Sequence, residues 1–243
     1  MHNYYRQSNK AKNLVNCMKT QIISTIGPAS NSISVLKAMK KAGMDIARIN
    51  MKYASAAECL RLLKMLKSIK CKSLVDVLDI SYAEKVRHLK FDYIALAFTE
   101  CAEQVECLRK IVPSAKIIAK IETGKGVKNI MEIISASDGV MVARGDLGRN
   151  VPLEKLPFFQ KMIIRECNKK GKFVVTATEM LLSMTDSKTP TRAEVTDVAN
   201  AVLDGSSALM LSEETAIGKY PVASVKMMDK IVKEAEKADS RKL

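Results

Sequence analysis

The sequence predicts an α/β fold, a single (β/α)8 barrel of the TIM type, on three observations. Eight short runs rich in Val, Ile and Leu recur along the chain. Each is followed by a segment compatible with a covering helix, most of them with apolar residues at helical spacing. The runs are apolar on both faces, as strands of a parallel sheet covered by helices must be. Eight such units within 243 residues fit a closed barrel in one domain. An open doubly wound sheet is disfavoured, because no G-x-G-x-x-G follows the first run.

The first strand is "TQIISTIG" (20–27), followed by the amphipathic "SVLKAMKKAG". "MDIARINM" (44–51) precedes "AAECLRLLKMLKSIK", and "KSLVDVLD" (72–79) precedes "SYAEKVRHLK", the weakest helical stretch. "FDYIALAF" (91–98) leads to "AEQVECLRKIV", and "KIIAKIE" (116–122) to "GVKNIMEIISAS". "GVMVARG" (139–145) is followed by "FFQKMIIRECNKKG". "KFVVTAT" (172–178) and "SALMLS" (207–212) complete the set, with "PVASVKMMDKIVKEAEKA" as the last helix. The barrel is expected over 19–243, after a basic N-terminal extension over 1–18.

Composition narrows the function. The net charge is +14, yet basic residues are spread through the helical segments and aromatics make up 5% of the chain. No nucleic-acid motif accompanies them, so the charge predicts solvated helix faces and an anionic substrate rather than a specific nucleic-acid partner. No run of eighteen apolar residues is present and the N-terminus lacks the apolar core of a secretory signal, which predicts a soluble, cytoplasmic protein without a membrane partner. Six scattered cysteines without C-x-x-C spacing fit a reducing compartment. With His2 and His88 alone available, and His88 on a helix face, a histidine base is not expected.

The C-terminal ends of barrel strands converge on one face, where chemistry is built. The residues there are Arg48, Asn50, Asp79, Lys120, Glu122, Gly145, Asp146, Thr178, Ser212 and Glu214. Glu122 and Asp146, on neighbouring strands, are hard ligands suited to Mg²⁺ or Mn²⁺, although acids at strand ends also serve as helix caps. Lys120 shares the parity of Glu122, so both point into the mouth, and with Arg48 it forms a cationic clamp for a phosphoryl group. Arg48 in a simple salt bridge is the competing account. "ARGDLG" offers backbone N–H groups at a helix start, and Thr178 adds a hydroxyl unless it is an ordinary strand residue. Together these describe a site for a small phosphorylated carboxylate whose reaction develops negative charge on oxygen.

These stretches resemble the pyruvate kinase family. "TQIISTIGPAS", "AGMDIARIN", "KIIAKIET", "SDGVMVARGDLG", "GKFVVTATEML", "PTRAEVTDVANAVLDG" and "LMLSEETAIGKYP" stand in family order from about residue 19 onward. The resemblance implies transfer of the phosphoryl group of phosphoenolpyruvate to ADP, giving pyruvate and ATP. It implies that Glu122 and Asp146 hold the divalent metal, and that Lys120 and Arg48 bind the phosphoryl group. The backbone at Gly145 and Asp146, with the Thr178 hydroxyl, would hold the substrate carboxylate, Lys120 and Thr178 being catalytic. The proton that quenches the enolate is implied to come through water near Thr178. A homodimer through the outer helices is implied as well.

Departures from the family pattern shape the expectation. The family's lid domain is expected to be missing, because "VDVLDISYAEKVRHLKFDYIAL" runs directly from the third strand to the fourth. No C-terminal effector domain is expected after the eighth helix. Asn50 and Asp79 match potassium ligands, but Lys52, Tyr53 and Ile80 stand where the family has serine, histidine and threonine, and Glu179 and Glu213 replace glutamine and glycine. The Lys52 ammonium could take the place of K⁺ beside Asp79, an attraction of roughly 4 kcal/mol at about 4 Å and an effective dielectric near 20. The leading expectation is a minimal kinase with weakened nucleotide binding. The alternatives are an impaired relative that binds phosphoenolpyruvate or a protein partner, an RNA-associated role, and lyase or phosphomutase chemistry on similar enolates.

Overall fold

The computed structural model describes residues 19–240, with side chains to 238, and the expected extension over 1–18 lies outside them. The strands are β1 (Gln21–Ile26), β2 (Ile46–Asn50), β3 (Lys72–Val77), β4 (Tyr93–Leu96), β5 (Lys116–Ile121), β6 (Gly139–Ala143), β7 (Phe173–Ala177) and β8 (Ala208–Leu211). They pair in parallel in chain order, and β8 returns to β1, closing the barrel. Every strand falls inside the run that predicted it.

The helices are α1 (Ile33–Ala42), α2 (Ala56–Ser68), α3 (Ile80–Val86), α4 (Ala102–Ile111), α5 (Gly124–Lys128), α6 (Ile130–Ala136), α7 (Arg144–Asn150), α8 (Leu156–Lys169), α9 (Arg192–Leu203), α10 (Glu213–Ala216) and α11 (Pro221–Ser240). Their starts are chemically marked. Ser32, Ser55 and Thr123 accept from N–H groups in the first turns of α1, α2 and α5, and Thr191 forms a reciprocal box with Glu194 on α9. The weakest predicted helix is the short α3 of seven residues, and the path from Val77 to Tyr93 contains that helix and a turn. No described helix is long and apolar enough to cross a membrane.

Two apolar layers result. Leu36, Leu62, Leu108, Ile133, Ile163, Val198 and Val232 from the helices pack against the outward strand residues. Inside the ring, Ile23, Ile46, Leu74, Ile118, Met141, Val175 and Met210 fill the lower barrel, where Tyr93 stacks on Phe173 at 5.8 Å. Among the described residues the cysteines are free, and burial pushes the Cys167 thiol up to about 12, as expected of packing residues rather than nucleophiles.

The base of the barrel is tied by a device that repeats four times. A polar residue just before each even strand accepts from the N–H of a residue near the start of the preceding odd strand. Asp45 takes Ile22 at 2.9 Å, Asp92 takes Ser73 at 2.8 Å, Asp138 takes Ile117 at 2.8 Å, and the Ser207 hydroxyl takes Val174 at 3.1 Å. These amides lie below the strand-to-strand ladder, and the clasps satisfy them.

Between two of these clasps Gly139 lets β6 and β7 approach: a Cβ there would stand 2.5 Å from the Phe173 carbonyl oxygen and 2.9 Å from Ile118. Gly139→Ala is therefore expected to cost about 1–3 kcal/mol by overpacking, read as a lowered denaturation midpoint with unchanged slope.

Candidate active site at the barrel mouth

On β1, β2, β3 and β5 the interior residues change character two positions along the strand, which keeps the same side of the sheet. Above Ile23 stands Thr25, above Ile46 stands Arg48, above Leu74 stands Asp76, and above Ile118 come Lys120 and then Glu122. An apolar plug thus carries a polar layer that all faces one mouth.

Asp76 is the hub of that layer. Its Oδ2 accepts from Arg48 Nε at 2.9 Å and pairs with Nη2 at 2.7 Å, and its Oδ1 pairs with Lys120 Nζ at 3.2 Å. Arg48 Nη1 also donates to Thr25 Oγ1 at 3.1 Å, and Lys120 pairs with Glu122 Oε1 at 3.0 Å. Phe98, whose φ is +48°, donates its N–H to Glu122 Oε2 at 2.6 Å. Asp76 is 2% exposed, Glu122 1%, and Arg48 and Lys120 8% each.

The two acids respond oppositely to this environment. Burial works to raise Asp76, but the charges and hydrogen bonds of Arg48 and Lys120 overcome it and hold the carboxyl below the ordinary range. At Glu122 burial wins over the single neighbouring lysine, and the carboxyl is pushed up. Glu214, fully buried, is likewise raised by burial, and it ties the N–H groups of Leu181 at 3.0 Å and Ser212 at 2.7 Å.

The second half of the site comes from β6 and β7. Asp146 lies in the first turn of α7, its side chain 45% exposed and 3.6 Å from Arg149 Nη1. Asn150 Nδ2 donates to the carbonyls of both Glu122, at 3.1 Å, and Asp146, at 2.9 Å, which places the two acids' backbones side by side. Gly145 N–H donates to Thr178 Oγ1 at 2.7 Å, and that hydroxyl donates to the Ala177 carbonyl at 2.6 Å. Thr178 and Glu179 have φ of +71° and +53°.

The residues expected beside potassium, Asn50 and Asp79, each have a local partner. Asp79 is the exposed N-cap of α3, its Oδ1 accepting from Ser81 N at 2.8 Å, Ser81 Oγ at 2.6 Å and Tyr82 N at 3.3 Å. Asn50 Oδ1 accepts from Lys52 N at 3.1 Å, while Lys52 Nζ lies over the Tyr53 ring, 5.6 Å from its centroid. The acid of β3 that enters the mouth is Asp76, paired in register with Asn50. Sequence reasoning passed over Asp76, although its parity with Leu74 was available as a signal.

Against this geometry, the comparisons with known proteins are specific. The family model described as "Pyruvate kinase, barrel domain" matches residues 17–89 and 73–225. The chain belongs to the pyruvate kinase family. A pyruvate kinase of Dictyostelium discoideum is 41% identical over 241 residues, 97% of this chain and 47% of that protein. One from Methanocaldococcus jannaschii is 48% identical over 167 residues, 67% of this chain and 37% of its own, and one from Thermococcus litoralis is 62% identical over 120 residues, 49% and 25%. The chain therefore spans about half or less of the length of these pyruvate kinases.

Replacing Asp76 by Asn leaves two buried cations without their shared counter-charge, and about 3 kcal/mol or more of stability is expected to be lost at neutral pH. Because the folded carboxyl sits below its ordinary value, its contribution is complete above the ordinary range and disappears as pH falls through the folded value. Denaturant titrations from pH 7 to pH 3 are expected to show a steeper acid loss in the parent than in Asp76→Asn; parallel curves would contradict the ion-pair assignment.

Proposed function

We propose that the barrel transfers the phosphoryl group of phosphoenolpyruvate to ADP, forming pyruvate and ATP. The observation that carries this is the pair Arg48 and Lys120, anchored on one buried carboxylate yet not exhausted by it. Arg48 engages one N–H on each of its nitrogens, leaving further N–H groups on Nη1 and Nη2. Lys120 has three donors and is paired with two carboxylates. The remaining donors are preorganised for an anion that carries charge on several oxygens.

The roles follow from position. Arg48 and Lys120 hold the phosphoryl oxygens while the bond from phosphorus to the enol oxygen breaks and a new bond to an ADP oxygen forms. Lys120 stabilises the enolate oxygen left behind, and the enolate carbon then takes a proton from water to give pyruvate. The Thr178 hydroxyl and the Gly145 N–H, bonded to each other here, exchange that contact for the substrate carboxylate and orient it.

The donor set suits Mg²⁺ or Mn²⁺. Glu122 and Asp146 are hard oxygen ligands whose backbones Asn150 holds together, and a buried carboxyl pushed up by desolvation is relieved by a cation. When bound, the ion would neutralise charge on the phosphoryl group and the enolate oxygen. No step involving potassium is derived. The exposed Leu153 and Phe158, 69% and 71% exposed at and before the start of α8, support association of two copies through the outer helices.

A second reading, a relative that binds phosphoenolpyruvate with little turnover, is favoured by the direct path from β3 to β4. That path offers seven helical residues to cover the mouth. An open mouth admits water and orients the nucleotide poorly, which lowers kcat and raises KM for ADP.

An assay that couples pyruvate formation to lactate dehydrogenase decides between them. With phosphoenolpyruvate, ADP and Mg²⁺, turnover is expected, and it should vanish with a chelator and return with added metal. Lys120→Ala should lower kcat about 100-fold or more, since it removes a donor aimed at developing charge. Calorimetric binding of phosphoenolpyruvate without any pyruvate would establish the second reading.

A further inference from the structure

The turn after β7 is held in an unfavourable conformation by a residue to which no role has been given. Thr178 and Glu179 are consecutive non-glycine residues at positive φ, +71° and +53°, and the first is β-branched. Such residues are rare in the left-handed region and persist where surrounding structure overrides the preference.

That structure is the Arg144 side chain, at the end of β6 and 10% exposed. Nε and Nη2 donate to the Thr178 carbonyl at 3.1 and 2.8 Å, and Nη2 also reaches the Glu179 carbonyl at 3.0 Å. Nη1 donates to Asp197 Oδ2 on α9 at 2.6 Å and to Gln160 Oε1 on α8 at 3.4 Å. All five N–H groups of the guanidinium are used. One planar fork grips both carbonyls of the strained turn and is anchored behind it by a carboxylate and an amide.

We propose that Arg144 is a positioning residue for the site. By holding the 178–179 turn left-handed it points the Thr178 hydroxyl at the Gly145 N–H and so at the mouth, where the substrate carboxylate binds. Arg144 itself touches no reacting atom. The inference rests on the proposed function for its kinetic consequence, while its structural half is independent of turnover. A lysine cannot replace the fork, because a single ammonium lacks the planar geometry to reach two carbonyls, a carboxylate and an amide together.

The test uses the full chain as Arg144→Lys, Thr178→Ala, the double variant and Asp197→Asn, with thermal melting as the check on folding. Arg144→Lys is expected to raise KM for phosphoenolpyruvate and lower kcat, with kcat/KM falling about 10-fold or more through misplacement of one group. KM for ADP should stay unchanged. Added to Thr178→Ala, the Arg144→Lys change should cost little more, because both act through one hydroxyl; additive losses would overturn the proposal.

The second readout is the Thr178 backbone φ from three-bond amide couplings in labelled protein. Loss of the left-handed value in Arg144→Lys supports the proposal, and an unchanged value sinks it. Should Arg144→Lys fail to fold, Asp197→Asn decides on the same two readouts, with a smaller shift of the same sign expected and no shift counting against. If the parent shows no turnover but the coupling changes, the assigned reaction fails while the clamp stands.

Discussion

One buried carboxylate holds the polar layer of this barrel together. Arg48 and Lys120 come from β2 and β5, and without a counter-charge two cations so little exposed would repel each other and resist leaving water. Asp76, from β3 between them, accepts from both. The same contact orders the site and adds long-range ties across the ring, so site geometry and barrel closure are coupled. Glu122 depends on it at one remove, because the lysine that partly offsets its burial is the lysine that Asp76 fixes.

The barrel divides its labour along the strand axis. At the base, three aspartates and a serine satisfy amides below the ladder and touch nothing reactive. In the middle, Ile23, Leu74, Ile118 and Met141 exclude water. That dry plug lowers the local dielectric under the polar layer, which strengthens each ion pair above it and raises the cost of leaving one unmade. The chemistry at the mouth is thus a consequence of the apolar residues two positions below it.

Much of this was legible from residue parity. Strand positions followed from eight apolar runs; alternation placed Lys120 and Glu122 in the mouth, and Arg48 was placed there as a residue at a strand's C-terminal end. Alternation failed where the end of a strand was misjudged. "VDVLD" contains two acids, and extending β3 to 79 rather than Val77 directed attention to Asp79, which caps α3, and away from Asp76. Arg144 was missed for a different reason. Its role requires the turn at 178–179 to be left-handed, and nothing in "TATEM" signals positive φ, since neither Thr nor Glu favours it. Long-range hydrogen bonds to backbone carbonyls leave no periodic mark in a sequence.

The short connection between β3 and β4 separates two requirements that a phosphotransferase usually meets together. Holding a phosphoryl anion needs preorganised donors, and Asp76, Arg48, Lys120 and Glu122 stay at most 8% exposed with α3 alone between those strands. Their burial comes from the barrel, so it does not depend on a cover over the mouth. Orienting the second substrate and excluding water do depend on one. The polar layer is therefore inseparable from the ion pairs that bind the strands to one another, whereas a cover over the mouth is not.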